Sequence, residues 1–171
     1  MADMDIDALI REARDLGREA FVRRYPHLFL LSYEGENSRE VGPAQFFTDV
    51  AQRGAPAGGW SGVLHVLPVV KSAKNPYSDR ISIGRARNCD VVLRDPSVSK
   101  LHAHVRRDEA GGWSLHDAGS HNGTSIGGRP LARDASAPLQ VGDSITLGAL
   151  VLQVADAEGV YNVVTRLSQA R

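Results

Sequence analysis

The sequence predicts a mainly β protein, an antiparallel β-sandwich preceded by an N-terminal segment that contains at least one amphipathic α-helix. From residue 63 onward, short apolar or alternating runs are each bounded by Gly, Asp, Pro, Ser or Asn, as strands joined by tight loops require. Strands at this spacing are typical of a β-sandwich. Near the N-terminus, by contrast, apolar residues recur at steps of three and four, which is the period of a helix.

The N-terminal helix is predicted over residues 5–24. Asp3 or Asp5 can cap its start, Arg23 and Arg24 near its end suit the helix dipole, and Pro26 ends it. We expect its apolar stripe to pack on the β-sandwich, away from the loops described below, and binding to a partner protein is the alternative. The stripe consists of Ile6, Leu9, Ile10, Ala13, Leu16, Ala20 and Phe21.

The rest of the N-terminal segment is predicted to be mixed in structure. Residues 27–33 form a short apolar run that favours a strand, residues 34–43 are polar, and residues 44–53 carry apolar residues at helical spacing. Gly, Ala and Pro dominate residues 54–59, which favours a flexible joint. We therefore divide the chain into an N-terminal helical and mixed segment, residues 1–58, and a β-sandwich domain, residues 62–167.

The strands of the β-sandwich domain are predicted from their patterns, and residues 71–80 are predicted to be a polar loop. In the strand with Trp113 and Leu115, alternation buries one face, so both side chains are expected in the core. The predicted strands are residues 63–70, 81–83, 91–93, 104–106 and 113–116, then Leu131, and then residues 144–147, 150–154 and 160–165.

Composition excludes several classes of function. Twenty Lys and Arg residues balance twenty Asp and Glu residues, so no overall positive field attracts nucleic acid or an anionic membrane. No apolar run approaches the roughly 20 residues of a membrane span, and no secretory signal precedes the first helix. With Cys89 as the single cysteine, we expect a cytoplasmic protein. No P-loop, G-x-S-x-G, H-E-x-x-H or kinase signature is present, so we expect no enzyme activity.

Polar residues that suit an anion lie in three predicted loops. They belong to the ordered set Gly84-Arg85, Ser99-x-x-His102 and Asn122-Gly123-Thr124, followed by Leu139-x-x-Gly142-Asp143 and Leu147-Gly148. This set resembles that of a forkhead-associated (FHA) domain. Each piece alone would indicate only a turn, but the ordered set is specific. The resemblance covers residues 62–167 and implies two packed antiparallel sheets with the binding loops at one end.

The resemblance implies a role for each residue of these loops. In FHA domains the arginine after the glycine reaches a phosphate, the serine donates its hydroxyl, and the asparagine holds the peptide backbone, which assigns these roles to Arg85, Ser99 and Asn122. Lys100 and His121 flank the same site. The family more often has Thr, Arg or Lys where this chain has His121, and a histidine contributes less positive charge than a lysine. The resemblance also implies that Gly84, His102, Gly123 and Thr124 support the site structurally.

The function implied is a non-catalytic adaptor that binds phosphothreonine in a partner protein, in bacterial Ser/Thr kinase signalling, with a kinase as a candidate partner. The alternative is a structural scaffold that uses the FHA fold without recognising phosphate. His102 and His104 also suggest a metal site, with His116 and His121 elsewhere in the chain. No Cys or acidic residue completes a ligand set at the required spacing. We therefore expect neither a metal nor a cofactor.

Overall fold

The computed structural model describes residues 3–35 and 62–169. The predicted helix over residues 44–53 and the joint over residues 54–59 lie outside the described residues, as does most of the predicted loop over residues 34–43. The division of the chain at this joint therefore stays a prediction. Glu34 and Gly35, which that loop included, are the last two residues of a strand.

In chain order, the described residues form one helix, eleven strands and a second helix. They are α1 (Ile6–Arg24), β1 (Leu28–Gly35), β2 (Gly62–Val69), β3 (Ile81–Gly84), β4 (Val91–Val92), β5 (Ala103–Arg107), β6 (Trp113–Asp117), β7 (Thr124–Ile126), β8 (Arg129–Pro130), β9 (Ser136–Leu139), β10 (Ser144–Leu147), β11 (Leu150–Ala155) and α2 (Ala157–Gln169).

The strands form two sheets, which confirms the predicted fold class. Sheet A has the order β2-β1-β11-β10-β7-β8, and sheet B has the order β4-β3-β5-β6-β9. All pairs are antiparallel except β3 with β4, which is parallel. The strand predicted over residues 27–33 is β1, and it pairs with both β2 and β11. A strand from the N-terminal segment is therefore hydrogen-bonded within sheet A.

Two apolar clusters stabilise this arrangement. The first lies between the sheets and includes Ile83, Leu115 and Ile145, each fully buried, with Trp113 packed partly buried against it. The second joins α1 and α2 to sheet A, with Phe21 and Phe29 fully buried in it. Helix α1 therefore packs on its own chain.

Helix α1 begins as predicted but is interrupted at Gly17. The Asp5 carboxylate accepts a hydrogen bond from the Asp7 backbone N–H at 2.9 Å, so Asp5 is the N-cap. Gly17 has a φ of 70°, in the left-handed region that glycine enters most easily. The predicted stripe is broken there: Leu16 is 41% exposed, whereas Phe21 is completely buried.

The residues before α1 bind to part of one edge of sheet A. Strand β2 is an edge strand, and its Val66 accepts a hydrogen bond from the Met4 backbone N–H at 2.9 Å. The Val66 N–H donates in turn to the Asp3 carboxylate at 2.7 Å. These bonds occupy backbone groups that an open edge would present to another chain.

The predicted strand over residues 160–165 is wrong, because these residues lie within α2. The β-branched valines favoured a strand, but Val160, Val163, Val164 and Leu167 also recur at helical spacing, and all four are buried against α1 and sheet A. Burial of this apolar stripe favours the helix over the strand. Leu131, also predicted as part of a strand, follows β8 directly, and β7, β8 and β9 were not predicted from their short, polar sequences.

Neither helix of the described residues is long and apolar enough to cross a membrane.

The packing of α1 predicts that Phe21→Ala lowers the free energy of unfolding by about 3–5 kcal/mol, because it leaves a cavity between α1, α2 and sheet A. Leu16→Ala, in the same helix, serves as the matched control, since its side chain already reaches solvent and its removal costs little. Urea unfolding of both variants measures this. Similar losses in the two variants would contradict the packing described for α1.

Candidate functional site

Three loops meet at one end of the β-sandwich. Strand β5 runs antiparallel to β3 and β6, so the end of β3, the start of β5 and the end of β6 lie together. The connections β3–β4, β4–β5 and β6–β7 therefore form one surface. All five predicted binding residues line a single groove on it: Arg85, Ser99, Lys100, His121 and Asn122.

The end of α1 lies far from this groove. Tyr25 and His27, which follow α1, share a different groove with Arg107 and Trp113, which flank the β5–β6 turn. That turn is at the opposite end of β5 from the three loops. The C-terminal end of α1 therefore packs away from the candidate site.

Arg85 is held against the β4–β5 loop by two hydrogen bonds. Its backbone N–H donates to the Ser99 carbonyl at 2.9 Å, and its Nε donates to the Val98 carbonyl at 3.1 Å. The terminal guanidinium nitrogens have no partner within the described residues. The backbone of residue 84 can lie this close to the β4–β5 loop because residue 84 is a glycine. A Cβ there would lie 2.3 Å from the Lys100 carbonyl oxygen. The Arg85 side chain is exposed, and the hydrogen bond of its Nε holds the guanidinium group in place.

His102 joins the β4–β5 loop to the β6–β7 loop. Its Nδ1 accepts a hydrogen bond from the Ser99 backbone N–H at 3.0 Å, which leaves the ring proton on Nε2. That Nε2–H donates to the Gly123 carbonyl at 3.0 Å. The side chain is completely buried, and burial lowers the pKa of His102, so the ring is neutral at pH 7.

Ser99 and Asn122 complete the links between these loops. The Ser99 hydroxyl oxygen accepts a hydrogen bond from the His121 backbone N–H at 3.0 Å, so its own proton can be donated elsewhere. Asn122 Nδ2 donates to the Ser97 carbonyl at 2.8 Å, which leaves its side-chain oxygen as an acceptor. The side chains of Lys100 and His121 are exposed at the groove.

Asp117 and Ser120 organise the β6–β7 loop, a role that was predicted from the sequence for neither residue. Asp117 is 4% exposed, and one carboxylate oxygen accepts from the backbone N–H groups of Gly119 and Ser120 at 2.9 and 3.0 Å. The other accepts from the hydroxyls of Ser120 and Thr124, both at 2.6 Å. Ser120 also accepts from the Gly123 N–H at 3.1 Å. The run Asp117-Ala118-Gly119-Ser120 was the available signal, since Asp commonly bonds to backbone N–H groups two or three residues later.

These contacts keep Asp117 ionised. Burial alone would raise the pKa of Asp117, but the hydrogen bonds from Ser120 and Thr124 outweigh burial and lower the pKa to about 2. A buried carboxylate with four donors stabilises the loop as long as it keeps its charge.

Asp90 has a similar role on the other side of the site. It is completely buried and accepts hydrogen bonds from the Ser72 and Ser82 backbone N–H groups at 2.7 Å and from Asn75 Nδ2 at 2.6 Å. Burial alone would raise the pKa of Asp90, but these bonds lower it to about 2. Asp90 thereby ties the loop over residues 71–80 to the start of β4.

The histidines do not form a metal site within the described residues, where no cluster of three or more His, Cys, Asp or Glu side chains could hold an ion. The two nitrogens of His102 are occupied by the loops. His104 instead stacks on His116, with ring centroids 4.8 Å apart.

Comparison with known proteins identifies the β-sandwich. The family model described as the FHA domain matches residues 81–148. Among curated proteins, the Arabidopsis thaliana homolog of the protein phosphatase 1 regulatory inhibitor subunit PPP1R8 is 34% identical over an alignment of 94 residues, and the match covers 50% of this chain. The match covers 25% of that relative's length.

Among solved structures, the FhaA FHA domain, complexed with the intracellular domain of Rv3910, is 30% identical, with a TM-score of 0.41 over 47% of this chain and 84% of that one. The N-terminal FHA domain of Saccharomyces cerevisiae Rad53p, in complex with a phosphothreonine peptide, is 25% identical. Its TM-score is 0.45, and the match covers 53% of this chain and 83% of that one.

The Asp117 network predicts a pH-dependent stability. Asp117→Asn should lower the free energy of unfolding by about 1–3 kcal/mol at pH 7, because it removes a charged acceptor from buried donors. Because the folded-state pKa is depressed, this contribution is complete above about pH 4, the unfolded value, and is lost as the pH falls toward 2. Urea unfolding of wild type and variant between pH 7 and pH 2 measures the difference.

Glu109→Gln is the matched control, because Glu109 is exposed in the β5–β6 turn. Its effect should be small at every pH. A difference between wild type and Asp117→Asn that stays constant down to pH 2 would show that the charge of Asp117 does not stabilise the loop.

Proposed function

Because this chain belongs to the forkhead-associated (FHA) domain family, we propose that it is a non-catalytic adaptor that binds phosphothreonine-containing segments of a partner protein. One observation carries the proposal. The guanidinium of Arg85, the hydroxyl of Ser99 and the amide of Asn122 line one groove, and each is anchored by hydrogen bonds within the protein.

The chemistry of a phosphothreonine matches these groups. A phosphoryl group carries close to two negative charges and three acceptor oxygens at pH 7. The terminal nitrogens of Arg85 can donate two parallel hydrogen bonds to it, and the Ser99 hydroxyl can donate a third. The side-chain oxygen of Asn122 can accept a backbone N–H of the bound peptide. Since the loops are already joined through His102, little ordering is needed when the peptide binds.

Lys100 and His121 would contribute from the two sides of the groove. The ammonium of Lys100 is exposed there and adds positive charge close to the phosphate. His121 offers an exposed ring, and its backbone N–H fixes the Ser99 hydroxyl. We assign both a supporting role in phosphopeptide binding.

The biological setting is part of the same proposal. FHA domains are protein-interaction modules, and an interaction module that reads phosphothreonine requires a kinase that makes it. We therefore place this chain in Ser/Thr kinase signalling of the bacterial type, in the cytoplasm. Its partners would be a phosphothreonine-containing protein and the kinase that phosphorylates it.

The proposal predicts that Arg85→Ala weakens binding of a phosphothreonine peptide by at least about tenfold. Charge-assisted hydrogen bonds contribute about 1.5–3 kcal/mol each, and about 1.4 kcal/mol corresponds to tenfold in affinity. Arg85→Lys should restore binding only in part, because an ammonium cannot form the planar pair of bonds. Ser99→Ala should cost less than Arg85→Ala. Calorimetry with the phosphothreonine peptide and its unphosphorylated twin measures these effects.

Arg87→Ala is the matched control, since Arg87 is an exposed arginine of the same β3–β4 loop that does not line the groove. It should bind as the wild type does. If Arg85→Ala folds normally and keeps wild-type affinity, phosphate recognition at this groove is refuted. If the wild type binds both peptides equally well, the chain is a scaffold that uses the FHA fold without phosphate.

A further inference from the structure

A second groove crosses the outer face of sheet B. On this face, Ser82 of β3, His104 of β5 and His116 of β6 are direct cross-strand neighbours. The groove is lined by these three residues, by Arg106, and by Tyr77 of the loop over residues 71–80. The outer face of sheet A, in contrast, is covered by α1 and α2.

The groove contains polar atoms that lack a partner within the described part of the chain. His104 Nε2 and Arg106 Nε are both shielded from solvent and make no hydrogen bond there. Buried polar atoms in proteins are nearly always paired. Both nitrogens can act as donors, the histidine in its Nε2–H tautomer. A rotation of either side chain toward the groove would bring its nitrogen to an acceptor bound there, and the side chain of Arg106 is already 36% exposed.

The charges around these atoms favour an acidic group. Arg80, Arg106 and Lys100 line the groove or its rim. Asp79 lies 3.0 Å from Arg80 and 3.2 Å from Arg106, so one carboxylate is shared between two guanidinium groups. Asp134 also lines the groove, as does Asp117, whose carboxylate is already occupied by the β6–β7 loop.

The two arginines also act on the stacked rings of His104 and His116. Burial, together with His116, Arg106 and Arg80, lowers the pKa of His104 to about 4. Burial and the same two arginines also lower the pKa of His116. Both rings are therefore neutral at pH 7. A carboxylate beside them would be attracted by the two arginines.

The second groove is continuous with the first. Lys100 and Leu101 line both grooves, and Leu101 is 49% exposed. A polypeptide that is bound by Arg85, Ser99 and Asn122 can therefore pass over Leu101 onto the outer face of sheet B without leaving the protein surface.

We propose that this second groove binds the same partner chain, through an extended acidic segment that flanks the phosphothreonine and places an Asp or Glu side chain at Arg106 and His104. The inference rests on the proposed phosphothreonine recognition. The outer face of sheet B would then determine specificity. It would select among phosphorylated partners by the charge of the residues beside the phosphothreonine.

The test uses a short peptide that has a central phosphothreonine. Longer peptides add a Glu-rich extension on either the N-terminal or the C-terminal side of the phosphothreonine. Matched peptides carry Gln in place of each Glu. One Glu-rich peptide should bind the wild-type chain about fivefold or more tighter than the short peptide, and its Gln twin should not. Arg106→Gln should remove this gain and leave the affinity for the short peptide unchanged.

Arg107→Gln is the matched control, because Arg107 is the next residue of β5 and lies over Trp113, outside the second groove. It should keep the full gain. The inference is overturned if neither Glu-rich extension improves binding, if Gln works as well as Glu, or if Arg106→Gln and Arg107→Gln behave alike. Failure of the proposed function is a separate result: the short peptide then does not bind, or Arg85→Ala does not weaken it, and the inference falls with it.

Discussion

The buried ring of His102 is the contact on which the candidate site depends. It is the group through which the β4–β5 loop, which carries Ser99, is joined to Gly123 of the β6–β7 loop. A neutral ring is required, because one nitrogen must accept while the other donates. Burial provides that neutrality by lowering the pKa of His102. The distance between the Ser99 hydroxyl and the Asn122 amide thus depends in part on a side chain that has no access to solvent.

Buried carboxylates support this link from both sides. Asp117 holds the β6–β7 loop through four donors, and Asp90 holds the start of β4 and the loop over residues 71–80. Both carboxylates accept hydrogen bonds from groups within the protein, and Asp90 also lies 3.7 Å from the ammonium of Lys71. Negative charge is placed below the loops, where it orders the backbone, and positive charge remains at the surface.

Much of the site could be predicted from the sequence, because its signals are local. Gly84-Arg85 and Asn122-Gly123 are turn sequences, and their order along the chain is enough to predict that they belong to one site. The strands between them show a clear alternation of apolar and polar residues. Other features required the packed structure. The valines of α2 suit a strand or a helix, and only their burial against α1 and sheet A decides between them. Two partners of Asp90, Ser72 and Asn75, precede it by more than ten residues. The second groove likewise depends on the register that places His104 beside His116.

We propose that the groove between the three loops is shaped for a phosphoryl group before any ligand binds. Backbone amide NMR of the full chain, titrated with a phosphothreonine peptide and with its unphosphorylated twin, tests this proposal. We expect saturable shifts at Arg85, Ser99 and His121 with the phosphorylated peptide, unchanged signals from α1, and no shifts with the twin. Shifts of equal size with both peptides, or shifts that are spread over the whole β-sandwich, would contradict it.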